Sequence, residues 1–454
     1  MPKGVPMTLA DLLVAHPFTD DEGLLHTADR TVTAGEARAA ARRVADELGP
    51  LDGRAVAVQL PNGPELVTTM VGVWLAGGVH VPVNPRLPEA EVTSVLDATG
   101  PAAHITASGI RRRPDAVPYE DDVAFVMWTS GTTGRPTAVH HTHTAYVELL
   151  DRVLAPLRGG GAATEPRRPT PNLIPVSMAL NAGLYNALFG LRAGAALVIM
   201  ERFEPALFAE LVGRFAIRST VLPPAAMAML TDSDVTDLAP LRYVRSITAP
   251  LSPVQARRFA AKFPVYVLNG YGQAEIGEVI GWTAADAKAH PGKVGAVGRP
   301  HKGVDIKLAE DGRLLVRPPN TAVGIADRTD AEGFVDTGDL ARIDEDGFVW
   351  IEGRAGDVIN RGGNKVFPDA VEEVLRLSPG VDDVAVVAGP DERLGEVPVA
   401  FLVGRPVPDE ELVELCREHL VAYKVPAAFR WVDGLPRSEV GKILRKQLAE
   451  SLQG

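Results

Sequence analysis

The chain has 454 residues, a length typical of two or three domains. Hydrophobic residues make up 46% of it and charged residues 23%, which excludes a largely disordered chain. The 58 acidic residues outnumber the 46 lysines and arginines, and the resulting net charge of −12 argues against nucleic acid as a partner. The single cysteine, Cys416, excludes a disulfide framework and a cysteine-based metal cage, and it indicates a reducing compartment.

Two further features argue against a secreted or membrane protein. The first residues lack the apolar stretch of a signal peptide. The longest mostly apolar run, from Met70 to Val83, is interrupted by glycine, histidine and proline, and it is shorter than the roughly 20 residues that cross a bilayer. We therefore expect a cytoplasmic protein with no membrane partner.

Strand-like and helix-like segments alternate through the first three quarters of the chain. Thr33 and Glu36 form a capping-box pattern at the start of a helix, and Gly49 suits its end. Such alternation is typical of parallel sheets covered by helices. The predicted strands are Ala55–Leu60, Val79–Val83, Val123–Met127, Ala195–Met200, Ser219–Leu222 and Tyr266–Leu268. The predicted helices are Ala37–Leu48, Gly63–Leu75, Pro205–Phe215 and Pro253–Lys262, and the predicted loops are Ile110–Pro118 and Arg158–Pro171.

The pattern changes after about residue 355. Pro368 suits the first position of a helix, and a short α+β unit follows it. The predicted elements of this unit are strands Val384–Ala388, Val397–Val403 and Phe429–Val432 and helix Asp409–Leu420. The predicted fold class is therefore α/β. It has a large N-terminal body of mixed, largely parallel sheets covered by helices (residues 1–354) and a small α+β C-terminal domain (residues 355–454).

A glycine- and threonine-rich segment, Trp128–Pro136, follows the strand Val123–Met127. Its glycines let the backbone approach a ligand closely, while hydroxyl and amide groups converge, and this combination suits a phosphate chain. It is not the usual P-loop, because no Gly-Lys-Ser/Thr closes it.

Four other segments complete a wider pattern: Asn269–Glu275, Asp336–Asp339, Gly353–Asp357 and Pro436–Lys442. In this order the five motifs resemble the adenylate-forming superfamily, which comprises acyl- and aryl-CoA ligases, stand-alone adenylation domains and luciferases. The supporting matches are Val294–Pro300, Gly362–Pro368 and Tyr423–Pro426. The resemblance covers nearly the whole chain.

This resemblance implies a two-step reaction that uses ATP, Mg²⁺ and coenzyme A. A carboxylate attacks the α-phosphate of ATP to give acyl-AMP and pyrophosphate, and a thiol then attacks the acyl-AMP. Because one anion must approach another, the site needs positive charge and amide groups at the reacting oxygens.

The resemblance also assigns nucleotide-binding residues. Glu275 holds Mg²⁺, with Thr129 as a second ligand, because hard cations prefer oxygen. Tyr271 stacks on adenine, Asp339 accepts the ribose hydroxyls, and Arg354 braces them from the other side. The further residues expected at the nucleotide are Thr129, Ser130, Gly131, Thr132, Thr133, Gly134, Ala249, Pro250, Asn269, Gly270, Gly272, Gln273 and Lys365.

Lys442 is the predicted catalytic cation, alongside Glu275. By resemblance it lies on a mobile C-terminal lid and bridges the carboxylate and the α-phosphate in the first step. The lid then rotates to admit the thiol, and Gly356 and Asp357 are the predicted hinge.

The chain departs from the family pattern at three places. Thr137 stands where many relatives have lysine, and Lys365 is a candidate to replace part of that charge. Ala274 replaces a threonine before Glu275, and Ile247-Thr248 replaces a pair of small residues beside the acyl pocket. The chain retains Glu275, Asp339, Arg354 and Lys442, so we expect altered activity and not a loss of activity.

The expected acid pocket is mostly apolar. The residues predicted to line it are Leu180, Leu184, Val221, Ile247, Thr248 and Gly277. No aspartate lies between Pro175 and Gly183 to pair with an α-ammonium, which disfavours an amino acid because a buried unpaired charge is costly. The composition favours an alkyl, aryl or polycyclic carboxylic acid.

Coenzyme A is the expected acceptor, because the chain ends soon after Lys442 with no fused carrier domain. Two alternatives stay open. One is a stand-alone adenylation enzyme that loads a separate carrier protein, and the other is a degenerate acyl-adenylate- or nucleotide-binding protein. A homodimer is expected only because twofold dimers are the commonest homo-oligomers.

Three histidines, His140, His141 and His143, could suggest a metal cluster. Neighbouring residues on a strand point to opposite faces, which makes convergence on one ion difficult. The glycines of Gly270–Gly272 are spaced wrongly for a dinucleotide fingerprint, because Glu275 occupies the place of the third glycine.

Overall fold

The computed structural model describes residues 7–130, 136–155, 169–247, 249, 251, 253–323, 325–437 and 443–452. The side chains of residues 129, 130, 136 and 137 lie outside this description. The chain forms two compact units. The larger contains residues up to Thr129, Thr137–Asp305 and Arg317–Thr329, and the second contains Ile306–Val316 and the chain from Asp330 onward. The predicted domain division at residue 354 stays a prediction.

The larger unit is built on two sheets. In its described residues one sheet has strand order β15-β14-β13-β12-β11-β9-β10-β1-β2, and the other has the order β6-β5-β3-β4-β7-β8. These strands are β1 (Gly23–His26), β2 (Thr31–Thr33), β3 (Ala55–Gln59), β4 (Val79–Pro82), β5 (Ala103–Thr106), β6 (Gly109–Arg112), β7 (Val123–Ser130), β8 (Pro136–Thr142), β9 (Asn172–Ile174), β10 (Leu197–Ile199), β11 (Ser219–Val221), β12 (Tyr243–Ser246), β13 (Tyr266–Gln273), β14 (Gly277–Gly281) and β15 (Arg299–Pro300).

Most neighbouring strands of the larger unit run parallel. The pairs β3–β4, β3–β5, β11–β12 and β12–β13 are parallel, while β13–β14 and β14–β15 are antiparallel at one edge. Parallel strands require crossover connections, and the helices between them supply these. This arrangement confirms the predicted α/β class.

Ten α-helices belong to the described part of the larger unit. The first long one begins with the predicted capping box: the Thr33 side chain accepts from the Glu36 amide, and the Glu36 side chain accepts from the Thr33 amide. These helices are α1 (Asp11–Val14), α2 (Ala34–Leu48), α3 (Pro64–Leu75), α4 (Glu89–Thr99), α5 (His143–Leu154), α6 (Asn181–Arg192), α7 (Pro205–Arg214), α8 (Pro224–Asp232), α9 (Pro253–Lys262) and α10 (Ala284–Ala289).

The second unit contains two antiparallel sheets, of order β16-β17-β18-β19 and β21-β20-β23-β22, and β24 pairs in parallel with β23. Its strands are β16 (Asp305–Leu308), β17 (Arg313–Arg317), β18 (Val335–Ile343), β19 (Val349–Arg354), β20 (Ile359–Arg361), β21 (Asn364–Val366), β22 (Val381–Asp391), β23 (Gly395–Gly404) and β24 (Ala428–Trp431). Its helices are α11 (Pro368–Leu375), α12 (Asp409–His419) and α13 (Arg445–Glu450).

Two predicted elements need correction. The predicted loop Ile110–Pro118 begins inside β6, which pairs with β5 at the edge of its sheet. The strand predicted to end at Leu268 continues to Gln273, because its second half pairs with β14 in an antiparallel ladder. Composition favoured loops in both places, and tertiary pairing of the backbone overrides that preference.

Within the described residues, no helix is both long enough and apolar enough to cross a membrane.

Candidate functional site

The phosphate-binding segment lies only partly within the described residues. The strand predicted before it, Val123–Met127, forms as β7 and continues to Ser130, and β8 leads out of the segment. The predicted contacts Gly131, Thr132, Thr133 and Gly134 lie outside the described residues, and so do the side chains of Thr129 and Ser130. Thr248, Pro250 and Lys442 also lie outside them, and the roles of all these residues stay predictions.

The three histidines after this segment point in different directions. His140 packs edge-on against Tyr119, and His141 stacks on Phe125 at 4.6 Å between ring centroids. The Nδ1 atom of His143 accepts from the Leu9 amide at 3.1 Å. Each ring thus has its own packing partner. Burial lowers the pKa of His141 to about 4, so the imidazole is neutral at pH 7.

The predicted adenine and magnesium segment runs along the second half of β13 and into the turn before β14. The Asn269 side chain is buried and accepts from the Gly270 amide at 3.1 Å. Gln273 donates to the Tyr271 hydroxyl at 3.4 Å. Strand pairing therefore fixes the backbone of the segment in which these predicted contacts lie.

Arg328 forms an ion pair with Glu275, the predicted magnesium ligand. A terminal nitrogen of Arg328 lies 3.2 Å from Oε1 of Glu275, whose side chain is 16% exposed. The other terminal nitrogen donates to Gln273 at 3.4 Å. The backbone carbonyl of Glu275 also accepts from the Ala322 amide at 2.8 Å. Arg328 was not identified from the sequence, because its distance of more than fifty residues from Glu275 leaves no local signal.

The residues present fit Mg²⁺ through one carboxylate. Magnesium ions in nucleotide sites are commonly held by one or two carboxylates together with phosphate oxygens and water. Glu275 offers a partly buried carboxylate of that kind. Among the residues described, no group of three or more histidine, cysteine or acidic side chains could hold a metal without a substrate.

The predicted ribose pair is assembled in the second unit. Asp339 on β18 and Arg354 on β19 are direct partners in an antiparallel ladder. Nε of Arg354 lies 2.8 Å from Oδ1 of Asp339, and another nitrogen donates to the Thr337 carbonyl at 3.1 Å. Asp339 is buried, while 43% of the Arg354 side chain is exposed. The pair therefore presents a fixed carboxylate with a partner that can reorient.

Two other predicted sites also lie in the second unit. Nζ of Lys365 donates to the Asp311 carbonyl at 3.4 Å on an exposed surface, and its expected contact with phosphate stays a prediction. The predicted hinge residues Gly356 and Asp357 form an exposed 3-10 turn directly after β19. A side-chain carbon added at Gly356 would meet nothing within 4 Å, so space does not constrain this position.

The predicted acid-pocket residues separate into two groups. Leu184 is buried in the main core cluster, Ile247 packs against that cluster, and Gly277 lies under Leu149 of the same cluster. Leu180 is 57% exposed next to the start of α6, and Ala249, which was predicted to lie at the nucleotide, is also exposed. Val221 is buried at the end of β11. A cavity of about 20 Å³, roughly the size of one water molecule, lies between α5 and the turn that contains Glu275 and Gly277.

A buried ion pair that was not predicted from the sequence lies next to the predicted pocket residue Gly277. Arg245 of β12 donates to Oε1 of Glu278 on β14, and Nε2 of His301 lies 3.2 Å from the same oxygen. The carboxylate lies against Gly270 and Gly281, where an added side-chain carbon would meet Oε1 at 3.2 and 2.8 Å. The available signal was one acidic residue inside the otherwise apolar strand Gly277–Gly281.

Both members of this pair are ionised at neutral pH. Burial alone would raise the pKa of Glu278, but Arg245 and His301 outweigh it, and the pKa lies below its ordinary value. Burial alone would lower the pKa of Arg245, but the carboxylate outweighs that effect and the pKa is raised. A charged pair at this depth is costly without full hydrogen bonding.

Comparisons with known proteins agree with this architecture. The family model "AMP-binding enzyme" matches residues 14–117 and 108–325, and the model "AMP-binding enzyme C-terminal domain" matches residues 370–442. A methyl-dioxo-octahydroindenyl propanoyl:CoA ligase of Mycobacterium tuberculosis is 30% identical over 99% of this chain and 99% of its own. The long-chain-fatty-acid–CoA ligase FadD13 of the same species is 28% identical, covering 93% of each chain.

This chain is also similar to solved structures over nearly its whole length. The o-succinylbenzoate CoA synthetase MenE of Bacillus subtilis, in complex with its acyl-adenylate intermediate, aligns with a TM-score of 0.81 and 25% identity. The alignment covers 96% of this chain and 97% of MenE. The same enzyme has been solved with ATP and a magnesium ion.

Proposed function

The chain belongs to the AMP-binding enzyme family, and from this premise we propose that it is an ATP-dependent carboxylic acid–coenzyme A ligase. In the first step a carboxylate oxygen attacks the α-phosphorus, the bond to the bridging oxygen breaks, and pyrophosphate leaves. In the second step the thiol sulfur of coenzyme A attacks the acyl carbon, AMP leaves with the bonding electron pair, and the thiol proton passes to solvent.

The observation that carries this proposal is the full-length likeness to acid–CoA ligases. A match confined to the larger unit would leave the second half-reaction unsupported. Both family models are present in this chain, and its relatives cover it almost from end to end. Coenzyme A is therefore the acceptor that we propose.

The roles proposed for individual residues follow from charge and position. Asp339 accepts hydrogen bonds from the ribose hydroxyls, and Arg354, its ion-pair partner, reorients to make room for the sugar. Glu275 provides the carboxylate for Mg²⁺, which neutralises phosphate charge when bound. Lys442 brings a positive charge to the oxygens that exchange in the first step.

The proposed acid has a largely apolar skeleton. Leu184 and Ile247 lie in or against the main apolar cluster of the larger unit, and residues 175–183 contain no aspartate that could pair with an α-ammonium. Relatives named for fatty and polycyclic acids support this class. Within it we propose an alkyl, aryl or polycyclic acid, a cytoplasmic site of action and a homodimer.

The proposal is tested by incubating the purified chain with ATP, Mg²⁺ and a panel of carboxylic acids. We expect pyrophosphate release that depends on the acid, and a product with the mass of the acyl-CoA thioester when coenzyme A is added. A carrier protein bearing a phosphopantetheine thiol serves as the competing acceptor. Acylation of that carrier, with no coenzyme A product, would contradict the proposed acceptor, and absence of pyrophosphate release with every acid would contradict the activity.

Replacing Lys442 by alanine tests the division of labour between the two steps. We expect adenylate formation to fall by at least about 100-fold, comparable to the loss of one transition-state donor. Thioester formation from supplied acyl-AMP should survive. Lys446, an exposed lysine on α13, is the matched control, and its alanine variant should retain both steps. Equal loss of both half-reactions in Lys442→Ala would contradict the proposed role.

A further inference from the structure

Several buried polar side-chain atoms of the larger unit have no hydrogen-bond partner among the residues described, and three of them belong to side chains that interact electrostatically with one another. These three are the hydroxyl of Tyr185 on α6, Nε of Arg152 on α5 and Oε2 of Glu278 on β14. Most buried polar groups in folded proteins are paired, and leaving one unpaired costs free energy. Three such atoms in one region therefore require an explanation.

These atoms belong to one electrostatic cluster, which we define as Arg152, Tyr185, Arg245, Glu278 and His301. Burial raises the pKa of Tyr185, the charge of Glu278 raises it further, and the charges of Arg245 and Arg152 oppose this. Burial lowers the pKa of Arg152, and Tyr185 and Glu278 oppose that change. All these charges thus act on the same small volume. The Tyr185 hydroxyl keeps its proton at neutral pH and can donate it to a hydrogen bond.

The cluster has more donors than acceptors. Two arginines face one glutamate, and Arg245 and His301 both contact Oε1 of that glutamate. The unpartnered atoms are two donors, on Tyr185 and Arg152, and one carboxylate oxygen. A ligand that satisfies the two unpartnered donors must therefore bring an oxygen that accepts hydrogen bonds.

The position of the cluster coincides with the predicted acid pocket. Tyr185 follows Leu184 on α6, and Glu278 follows Gly277 on β14. A side-chain carbon added at Gly270 would touch both the Glu278 carboxylate and the Ile247 side chain, at 3.2 and 3.3 Å. Arg152 lines the small cavity beside Glu275. The polar cluster thus adjoins the apolar lining expected for the acid.

We propose that the acid substrate carries a second, acceptor oxygen away from its reacting carboxyl, as a ketone or a carboxylate, and that Tyr185 and Arg152 bind it. This inference rests on the proposed ligase function and adds a polar requirement to its apolar skeleton. Tyr185 and Arg152 determine specificity and take no part in the chemical steps. Arg245 and His301 act as positioning residues, because they hold the Glu278 carboxylate between the two sheet glycines.

The first experiment compares matched acids with the full-length chain. Straight-chain acids of increasing length are each paired with the acid that carries a ketone near its far end and with the dicarboxylic acid of the same length. The measurement is acid-dependent pyrophosphate release. We expect kcat/KM for the ketone or dicarboxylic acid to exceed that of the plain acid by about 10-fold or more, because a plain acid leaves the buried donors unpaired.

The second experiment removes one hydroxyl. Tyr185→Phe should raise KM for the oxygen-bearing acid by about 10-fold with little change in kcat, because the lost contact exists in both the ground state and the transition state. KM for the plain acid should stay the same or fall. Tyr266, which is exposed at the start of β13, provides the matched control, and Tyr266→Phe should change neither acid.

A third variant tests the cluster as a unit. Replacing Arg245 by methionine and Glu278 by leucine together keeps the buried volume and removes the ion pair. We expect preference to shift toward the plain acid, with adenylate formation retained. An equal fall for both acids in this variant and in Tyr185→Phe would indicate a purely structural cluster and overturn the inference.

The outcomes separate the inference from the function on which it rests. If plain acids are used as well as their oxygen-bearing counterparts, and Tyr185→Phe does not alter the ratio, the ligase function holds and the inference is wrong. If no acid of any kind releases pyrophosphate, the ligase function itself is wrong, and the inference falls with it.

Discussion

Each compact unit buries one glutamate among arginines, and the two sites differ in how completely the carboxylate is bonded. In the second unit, Oε1 of Glu372 accepts from the Val386 amide at 2.8 Å and from Arg445 at 2.7 Å, while Oε2 accepts from Arg376 at 3.2 Å. In the larger unit, Oε1 of Glu278 has two partners, and Oε2 has none among the residues described.

This difference agrees with a structural role for Glu372 and with the binding role that we propose for the side chains around Glu278. A fully bonded carboxylate has no capacity left for a ligand, and Glu372 connects three elements of its unit: α11, β22 and α13. Beside Glu278, the hydroxyl of Tyr185 and Nε of Arg152 have no partner among the residues described, and these are the donors to which we assign a ligand oxygen. Both carboxylates are buried, so burial alone does not distinguish them, whereas the number of satisfied hydrogen bonds does.

The largest expected effect is on stability. Glu372→Ala leaves two arginines facing a buried gap, and breaking such a network costs about 3–5 kcal/mol. Denaturant unfolding at pH 7 measures the loss. Asp369, which also contacts Arg445 but is 43% exposed, is the matched control, and Asp369→Ala should cost no more than about 1 kcal/mol. Equal losses of unfolding free energy in Glu372→Ala and Asp369→Ala would contradict the structural role of Glu372.

Asp339→Ala should weaken nucleotide binding with a smaller effect on folding. Asp339 resembles Glu278 in being buried, but its arginine partner is half exposed. Loss of a charged acceptor for the ribose should raise the dissociation constant for AMP by about 10- to 100-fold. Calorimetric titration measures this. Asp311→Ala, on an exposed aspartate of the same unit, should bind AMP normally. Unchanged AMP binding by Asp339→Ala would contradict the ribose assignment.

Lowering the pH should reduce the stability of the larger unit more than that of the second unit. Three of its histidines, His16, His80 and His141, are buried, and burial lowers their pKa values to about 4, 3 and 4. The unfolded chain takes up these protons near pH 6.5 and the folded chain does not, so stability is present above that pH and is lost as the pH falls toward 4. Each of these histidines should lower the free energy of unfolding by about 1 kcal/mol between pH 7 and pH 5.5.

Hydrogen exchange at the two pH values measures this unit by unit. The histidine in the described part of the second unit, His419, is exposed. Burial raises the pKa of Glu372, so this carboxylate favours folding as the pH falls and opposes any loss there. His419→Gln is the control and should leave the pH profile unchanged. An equal increase in amide exchange for β3 and β22 on lowering the pH would contradict the expected difference between the two units.

The smallest expected effect concerns Arg328. Its charge competes with Mg²⁺ for Glu275, so Arg328→Met should lower the Mg²⁺ concentration for half-maximal activity by about 2- to 5-fold, as expected for a partly exposed pair. Pyrophosphate release across a Mg²⁺ titration measures the shift. Arg317, paired with Asp305 on the surface, is the matched control. An unchanged or higher requirement would show that Arg328 does not compete at this site.

Much of the fold could be predicted from local patterns. The capping box at Thr33 forms as expected, and the helix predicted from Pro253 to Lys262 matches α9. These succeed because a few neighbouring residues determine them. The extension of β13 to Gln273 was not predicted, because it depends on pairing with a strand whose own sequence begins and ends with glycine.

The candidate site also contains some residues that local motifs identified and others that they missed. Asp339 and Arg354 were both identified by motif, and strand register brings them together. An apolar pocket was predicted from residues such as Leu184, Val221 and Ile247, and the polar cluster beside it was missed. Arg245 and Glu278 are 33 residues apart and meet only through the sheet order β12-β13-β14. A lone charge inside an apolar strand was the one visible signal, and its partner depends on topology.

The facing glycines on β13 and β14 have a consequence for how this enzyme could change. Gly270 lies opposite Gly281 in the ladder, and the Glu278 carboxylate and the His301 ring occupy the space that side chains would fill there. One methyl group at position 281 would displace the imidazole, and one at position 270 would press on the carboxylate. Under the proposed binding role of this cluster, one added carbon at either glycine would change substrate preference without a rearrangement of the strand pairing.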